Sequence, residues 1–248
     1  MFGHTKIDCA QCYPNQQAIW GRSQHTFGAG SPSKWRIENT PASWGSANPR
    51  IVVLGFSRGQ NQSHDRQPFD QVAFHGMRPE LTRILRRLDL LGATETVDSR
   101  MRAGESDMAF SSLIRCSIAQ WDNRKQRYAK SGGSILQACL KDADSASVVS
   151  TCAQRYLADL PDRLRLVILL GNEDKYIAGF RSLISRLHPG VRPINAVAYG
   201  DGRVTWVQTI HAKAQGRHLP DWLEQPASAS PLGLKRDLAI EAVRQALG

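Results

Sequence analysis

The chain has 248 residues, 41% hydrophobic and 22% charged, a balance that fits a soluble globular protein with one sizeable core. No apolar run is long enough to span a bilayer, which excludes a membrane-spanning class. Lys and Arg outnumber Asp and Glu by 32 to 22, a formal charge of +10 that predicts a basic face for a polyanion, nucleic acid first.

Residues 1–50 are rich in Gly, Ser, Pro, Asn and Gln and lack apolar periodicity, so an irregular arm is expected there. Trp20, Phe27, Trp35 and Trp44 recur through it, which predicts that the arm packs over a core surface. The segment Met1–Cys9 has no signal-like apolar stretch, and a cytoplasmic location is expected. Five cysteines, an odd number, argue against a disulfide framework and leave metal ligation or plain core thiols.

Ile51-Val52-Val53-Leu54 reads as a fully buried strand, with Gly55 and Gly59 bracketing a turn after it. In α/β proteins ligands bind beyond the carboxyl ends of strands, and glycines there let backbone N–H groups approach closely. A helix is predicted over Pro79–Leu91, with Leu81, Ile84, Leu85, Leu88 and Leu91 in one stripe and Gly92 as its stop. Met108–Arg115 reads as a second strand and residues 121–133 as an irregular basic excursion. Helices are expected over Ile135–Lys141 and Ser147–Leu160, a buried strand over Leu164–Leu170, and a helix over Asp174–Leu187. Residues 196–207 alternate around Asp201-Gly202, a hairpin signal, and Leu234–Leu247 forms a closing amphipathic helix. Alternating strands and helices predict a single domain over residues 1–248, a three-layer α/β/α sandwich with a short, mostly parallel central sheet.

Five landmarks in order, Gly55 to Gly59, Phe74-His75-Gly76, Ser112 to Cys116, Cys152 to Leu157 with the strand after it, and Thr209-Ile210-His211, resemble the uracil-DNA glycosylase superfamily, most closely its iron–sulfur branch. Gly55-Phe56-Ser57-Arg58-Gly59 stands where the family has Gly-x-x-Pro-Gly, and Phe74-His75-Gly76 stands for Phe-Val-Gly. Ser112-Leu113-Ile114-Arg115-Cys116 stands for Asn-x-x-Lys-Cys. Cys152 to Leu157 precedes Val167–Gly171 at the family's distance, and Thr209-Ile210-His211 leads into the place of its His-Pro-Ser motif.

The resemblance implies excision of uracil from a flipped-out deoxynucleotide, leaving an abasic site. It makes His211 the donor to the departing base. Gly55, Phe56 and Gly59 become backbone contacts to the base or the attacking water, Phe74 the stacking ring and Ser112 the base reader. Ser57 takes the water-orienting place where many members carry Asp or Asn, and a hydroxyl cannot hold charge. Asn61, His64, Asp65 and Asp70 stay open as the water-activating group. Ser112 offers one oxygen where an amide offers two functions, which relaxes the expected uracil selectivity. Arg58, Lys213 and Arg217 are expected to contact DNA, Lys213 at a phosphate and Arg217 in the loop that enters the groove. Cys9, Cys12, Cys116 and Cys152 match the branch's ligands for a [4Fe–4S] cluster, with zinc, or Cys139 in place of one ligand, left open. The expected partner is DNA carrying uracil or abasic sites, met by a monomer. The rival reading is a protein that uses the same pocket to hold abasic or damaged DNA without turnover.

Overall fold

The computed structural model describes residues 2–59, 68–129, 138–139 and 141–248. In chain order its strands are β1 (Thr5–Lys6), β2 (Gln24–Phe27), β3 (Trp35–Glu38), β4 (Ala42–Gly45), β5 (Ile51–Ser57), β6 (Met108–Ile114), β7 (Ser117–Asp122), β8 (Arg127–Ala129), β9 (Leu166–Leu170), β10 (Arg192–Pro193), β11 (Ala198–Gly200) and β12 (Thr205–Thr209). The described helices are α1 (Phe69–Val72), α2 (Arg78–Arg87), α3 (Ala143–Leu157), α4 (Asp174–Leu187), α5 (His218–Glu224) and α6 (Pro231–Leu247).

Strands β6 and β9 are buried along their whole length, as is β5 up to Phe56. They lie at the centre of an eight-stranded sheet ordered β1-β4-β6-β5-β9-β12-β11-β10. β5 pairs in parallel with β6 and β9, and β9 in parallel with β12, while every pairing outside these is antiparallel. The expected mostly parallel sheet is therefore corrected to a parallel centre with antiparallel margins. The added strands come from the N-terminal arm on one side and the hairpin around Asp201 on the other.

Each face of this sheet carries its own apolar core. On one side Val52, Leu54 and Phe56 pack with Val149, Ala153 and Tyr156 of α3 and with Phe180, Leu183 and Ile184 of α4. On the other, Val53, Phe110 and Ile168 pack with Leu81, Ile84 and Leu85 of α2, Trp222 of α5 and Ala239 and Val243 of α6. Helices thus cover both faces, the layered arrangement expected of an α/β chain. Helix starts follow local chemistry. The Asp142 carboxylate accepts from the Ser145 N–H to open α3, and the Ser230 hydroxyl accepts from the Leu232 N–H to open α6, with Pro231 in its first turn. Among the described residues no helix is long and apolar enough to cross a membrane.

The irregular arm is a second correction. It supplies β1 to β4, and β2 and β3 join β7 and β8 in a separate four-stranded antiparallel sheet. The basic excursion is likewise a hairpin, β7 with β8. These strands are short and find their partners far along the chain, so local periodicity does not reveal them. The aromatic signal held: Trp35 and Trp44 are buried, and Trp35 Nε1 donates to Asp142 Oδ1 at 2.9 Å. Most of the helix expected over Ile135–Lys141 lies outside the described residues.

Candidate active site

Because the central strands are parallel, their carboxyl ends share one edge. β5 and β12 are separated there only by β9, two strand spacings or about 10 Å. Ser57 ends β5, His211 follows β12 by two residues, and Gly171-Asn172 follows β9 between them. Gly171 (φ +142°) closes the middle strand, its N–H donating to Thr209 O at 2.7 Å. A Cβ at this position would stand 2.6 Å from the Tyr176 ring.

The glycine expected in a turn lies within β5, paired with Ser112 of β6, and the strand continues to Ser57. A Cβ built on Gly55 would lie 3.6 Å from Ser112 Oγ and 3.9 Å from Phe74 Cε1. The missing side chain therefore faces the serine hydroxyl and the phenyl edge, at ordinary contact distances. Phe74 reaches it from the turn after α1, where it holds a positive φ of 51°. A bulky residue in the left-handed region is uncommon and costs about 1–2 kcal/mol of backbone energy. That conformation is kept by the Met77 N–H, which donates to Phe74 O at 3.0 Å, and by an edge-to-face contact with Phe110 at 6.3 Å. Gly55, Phe74 and Ser112 are thus brought together.

His211 is held by its own loop. The Lys213 backbone N–H donates to His211 Nδ1 at 3.0 Å, so in the neutral ring the proton sits on Nε2. Burial first, and the Lys213 charge second, hold its pKa below the ordinary value of 6.5, which keeps the ring neutral at pH 7. It therefore presents one N–H donor with a fixed tautomer. Lys213 and Arg217, expected at DNA, are exposed two and six residues further on, and Arg217 Nε lies 3.5 Å from Asp221.

Other expected residues fall elsewhere. Phe56 packs into the core on the far face of β5, so only its backbone remains at the edge. Arg58 is 2% exposed: its Nη1 donates to the Thr40 carbonyl, and its guanidinium lies 5.5 Å from the Trp20 ring and 5.3 Å from that of Trp44. A side chain so enclosed does not reach a phosphate, and its expected DNA contact is corrected. Gly59 is half-buried just past the strand. Ser57 Oγ is buried with no hydrogen-bond partner among the described residues. Asn61, His64 and Asp65 lie outside the described residues, and Asp70 accepts from His4 Nε2 at 2.6 Å. A cavity of about 130 Å³ lined by Asp174, Ile177, Ala178, Arg181 and Ala196 includes none of the expected site residues.

Asn172 escaped the sequence reading. It is 9% exposed, and its Nδ2 has no hydrogen-bond partner among the described residues. Its backbone carbonyl accepts from Lys235 Nζ at 2.8 Å. An amide directly after the glycine that ends a buried central strand was the available signal.

The cysteines gather on the other face of the sheet. Cys9 and Cys12 on the arm, Cys116 just past β6 and Cys152 in α3 all belong to one core. Cys12 and Cys152 lie near each other, and their interaction lowers the Cys12 pKa and, with burial, raises that of Cys152. Burial also pushes the Cys116 thiol up. The backbone N–H groups of Thr40 and Arg115 lie near the Cys116 and Cys152 sulfurs and work against that rise. Cys139 stands apart beside Ser145, Asp142 and Lys34, its pKa pushed up to about 12 by burial. Among the described residues no three His, Cys, Asp or Glu side chains are closed into a metal-holding arrangement. The four thiols are neighbours without converging on one point. Burial lowers both Arg58, which is near Cys116, and Arg115, which is near Cys152, to about 10, so both remain charged at pH 7.

No family model matches the sequence, and no curated protein matches it. One solved structure similar to this chain is that of Pedobacter heparinus SMUG2, at 12% identity and a TM-score of 0.42 over 80% of this chain and 76% of that one. A likeness of that degree is no evidence of shared function.

Proposed function

We propose that this chain is a monofunctional DNA glycosylase that excises uracil from a flipped-out deoxynucleotide. One observation carries the reading. The bare face of Gly55 beside Ser112 and Phe74, and a neutral histidine protonated on Nε2, occupy the same carboxyl edge of the parallel strands.

The extruded pyrimidine lies against the missing side chain of Gly55 and stacks on Phe74, while Ser112 Oγ meets a polar atom of its edge. The bond between the base and C1′ breaks, and its electron pair leaves with the base. His211 Nε2–H donates to the base oxygen on which that negative charge collects, so its hydrogen bond is stronger in the transition state than in the bound substrate. A water oxygen adds to C1′, one of its protons goes to the released base, and the strand keeps an abasic sugar. Ser57 orients that water without becoming charged. Asn172, buried at the same edge with an unpaired amide N–H, supplies the amide function that the single hydroxyl of Ser112 does not. Lys213 and Arg217 meet the phosphates.

The four thiols suit a metal group chemically: they are sheltered, two have backbone N–H groups nearby, and two guanidiniums stand near them. A [4Fe–4S] cluster would take one thiolate on each of its four irons and so would accept sulfurs spread farther apart than the ligands of a single zinc ion. Cys9, Cys12, Cys116 and Cys152 would hold it, and when bound it clamps the N-terminal arm to β6 and α3.

The test is alkaline cleavage after incubation with uracil-containing oligonucleotides, single- and double-stranded. Nicking at the uracil supports the proposal. Intact strands in every context reject it, and tight binding to abasic DNA without nicking supports the non-catalytic binder instead.

A further inference from the structure

Arg115 is the least explained side chain in the molecule. It follows β6, is 1% exposed, and none of Nε, Nη1 or Nη2 has a hydrogen-bond partner among the described residues. Its guanidinium lies between two aromatic rings, 5.0 Å from that of Phe2 and 4.9 Å from that of Tyr156. Ring faces attract a cation, but they accept no in-plane hydrogen bonds. A charged group withdrawn from water with all its donors idle is strongly disfavoured unless an anion stands by. Besides the Tyr156 hydroxyl, the groups that stand by are sulfurs: Cys116 is its chain neighbour, and Cys152, one helical turn before Tyr156, lies close enough to interact electrostatically. As neutral thiols they do nothing for a cation. With a [4Fe–4S]²⁺ core bound, its four thiolate ligands would leave a net charge of −2.

We infer that Arg115 is the buried counter-charge of the four-cysteine site, a positioning residue whose guanidinium offsets the charge of the metal-loaded thiolates and hydrogen-bonds to their sulfurs. The inference rests on the metal reading above. Arg58, near Cys116, adds a second positive charge on the same side. The arginine thus couples metal content to stability: it is poorly accommodated without the metal and well accommodated with it.

The test uses the full chain purified anaerobically, with iron and zinc measured per chain, the rate of metal loss to a chelator, and the melting temperature of the stripped protein. Arg115→Met keeps the stem and removes the charge. It is expected to lose metal about 10- to 100-fold faster, the range for partners that support metal ligands. Its stripped form is expected to melt at or above the temperature of the stripped wild type, a split that a purely structural arginine would not produce. Arg115→Lys, which keeps the charge and is the variant expected to fold if the methionine one does not, should lose metal far more slowly than Arg115→Met, or than Arg115→Gln in its place. Loaded wild type and Arg115→Met losing metal at equal rates, or Arg115→Lys losing it as fast as the neutral variant, overturns the counter-charge role alone. Wild type that holds no iron overturns the metal reading and the inference with it.

Discussion

Gly55→Ala separates fold from function. The added methyl would sit 3.6 Å from Ser112 Oγ and 3.9 Å from Phe74 Cε1, both ordinary contact distances, and no positive φ at this position opposes a side chain. Alanine in a strand interior is favoured over glycine by about 0.5–1 kcal/mol, so the melting temperature should hold or rise slightly. The same methyl occupies the space in which the base must lie. Displacing the base from Phe74 forfeits a stacking contact of about 1–3 kcal/mol, or roughly a 5- to 150-fold loss in excision. Thermal melting and single-turnover excision on one preparation read both quantities. A melting temperature lower by several degrees would mean that the space is already filled, and unchanged excision would mean that the base binds elsewhere. Either result refutes the geometry.

Further outcomes follow from the same site. His211→Ala should lower the excision rate about 10²- to 10³-fold, as for loss of one donor to a developing anion, while DNA affinity measured by fluorescence anisotropy changes little. With its folded pKa held below 6.5, His211 stays neutral while an ordinary histidine charges, so activity should persist as pH falls through 6.5 and drop only below the depressed value. The stability that the neutral ring contributes is full above 6.5 and is lost as pH falls from there toward the folded pKa, because the unfolded chain takes up the proton first. Lys213→Ala removes the second cause of the shift and should move the acid limb of the rate profile upward. Lys213 and Arg217 are exposed, and if each meets a phosphate, losing one should flatten the slope of log affinity against log salt by about 0.9. Asn172→Ala should leave the fold intact and reduce discrimination between uracil and thymine, scored by competition between the two substrates.

The sequence was most legible where burial was continuous. Ile51–Ser57, Met108–Ile114 and Leu166–Leu170 are apolar runs too short for helices, and each is a central strand. The α2 stripe and the hairpin at Asp201 carry strong local signals and appear as expected. The arm was misread because β3 and β4 take as partners β7 and β6, distant in sequence, and two- to four-residue strands leave no period to detect. Arg58 looked like a surface cation because nothing local indicates that Trp20, Trp44 and the Thr40 carbonyl enclose it. Gly55 was placed in a turn on composition, whereas the register with Ser112 keeps it in the strand, where its lack of a Cβ matters more than its freedom of φ. The four cysteines, from three segments, were picked out by the family resemblance, but the buried arginine beside Cys116 was not, since its burial exists only in three dimensions.

Release of free base is the most direct measurement of the central claim. Incubating the wild-type chain with a uracil-containing oligonucleotide and quantifying free uracil by mass spectrometry should give one uracil per abasic site formed, with His211→Ala slower by at least tenfold. No free uracil from wild type, or equal release from both proteins, would contradict the account.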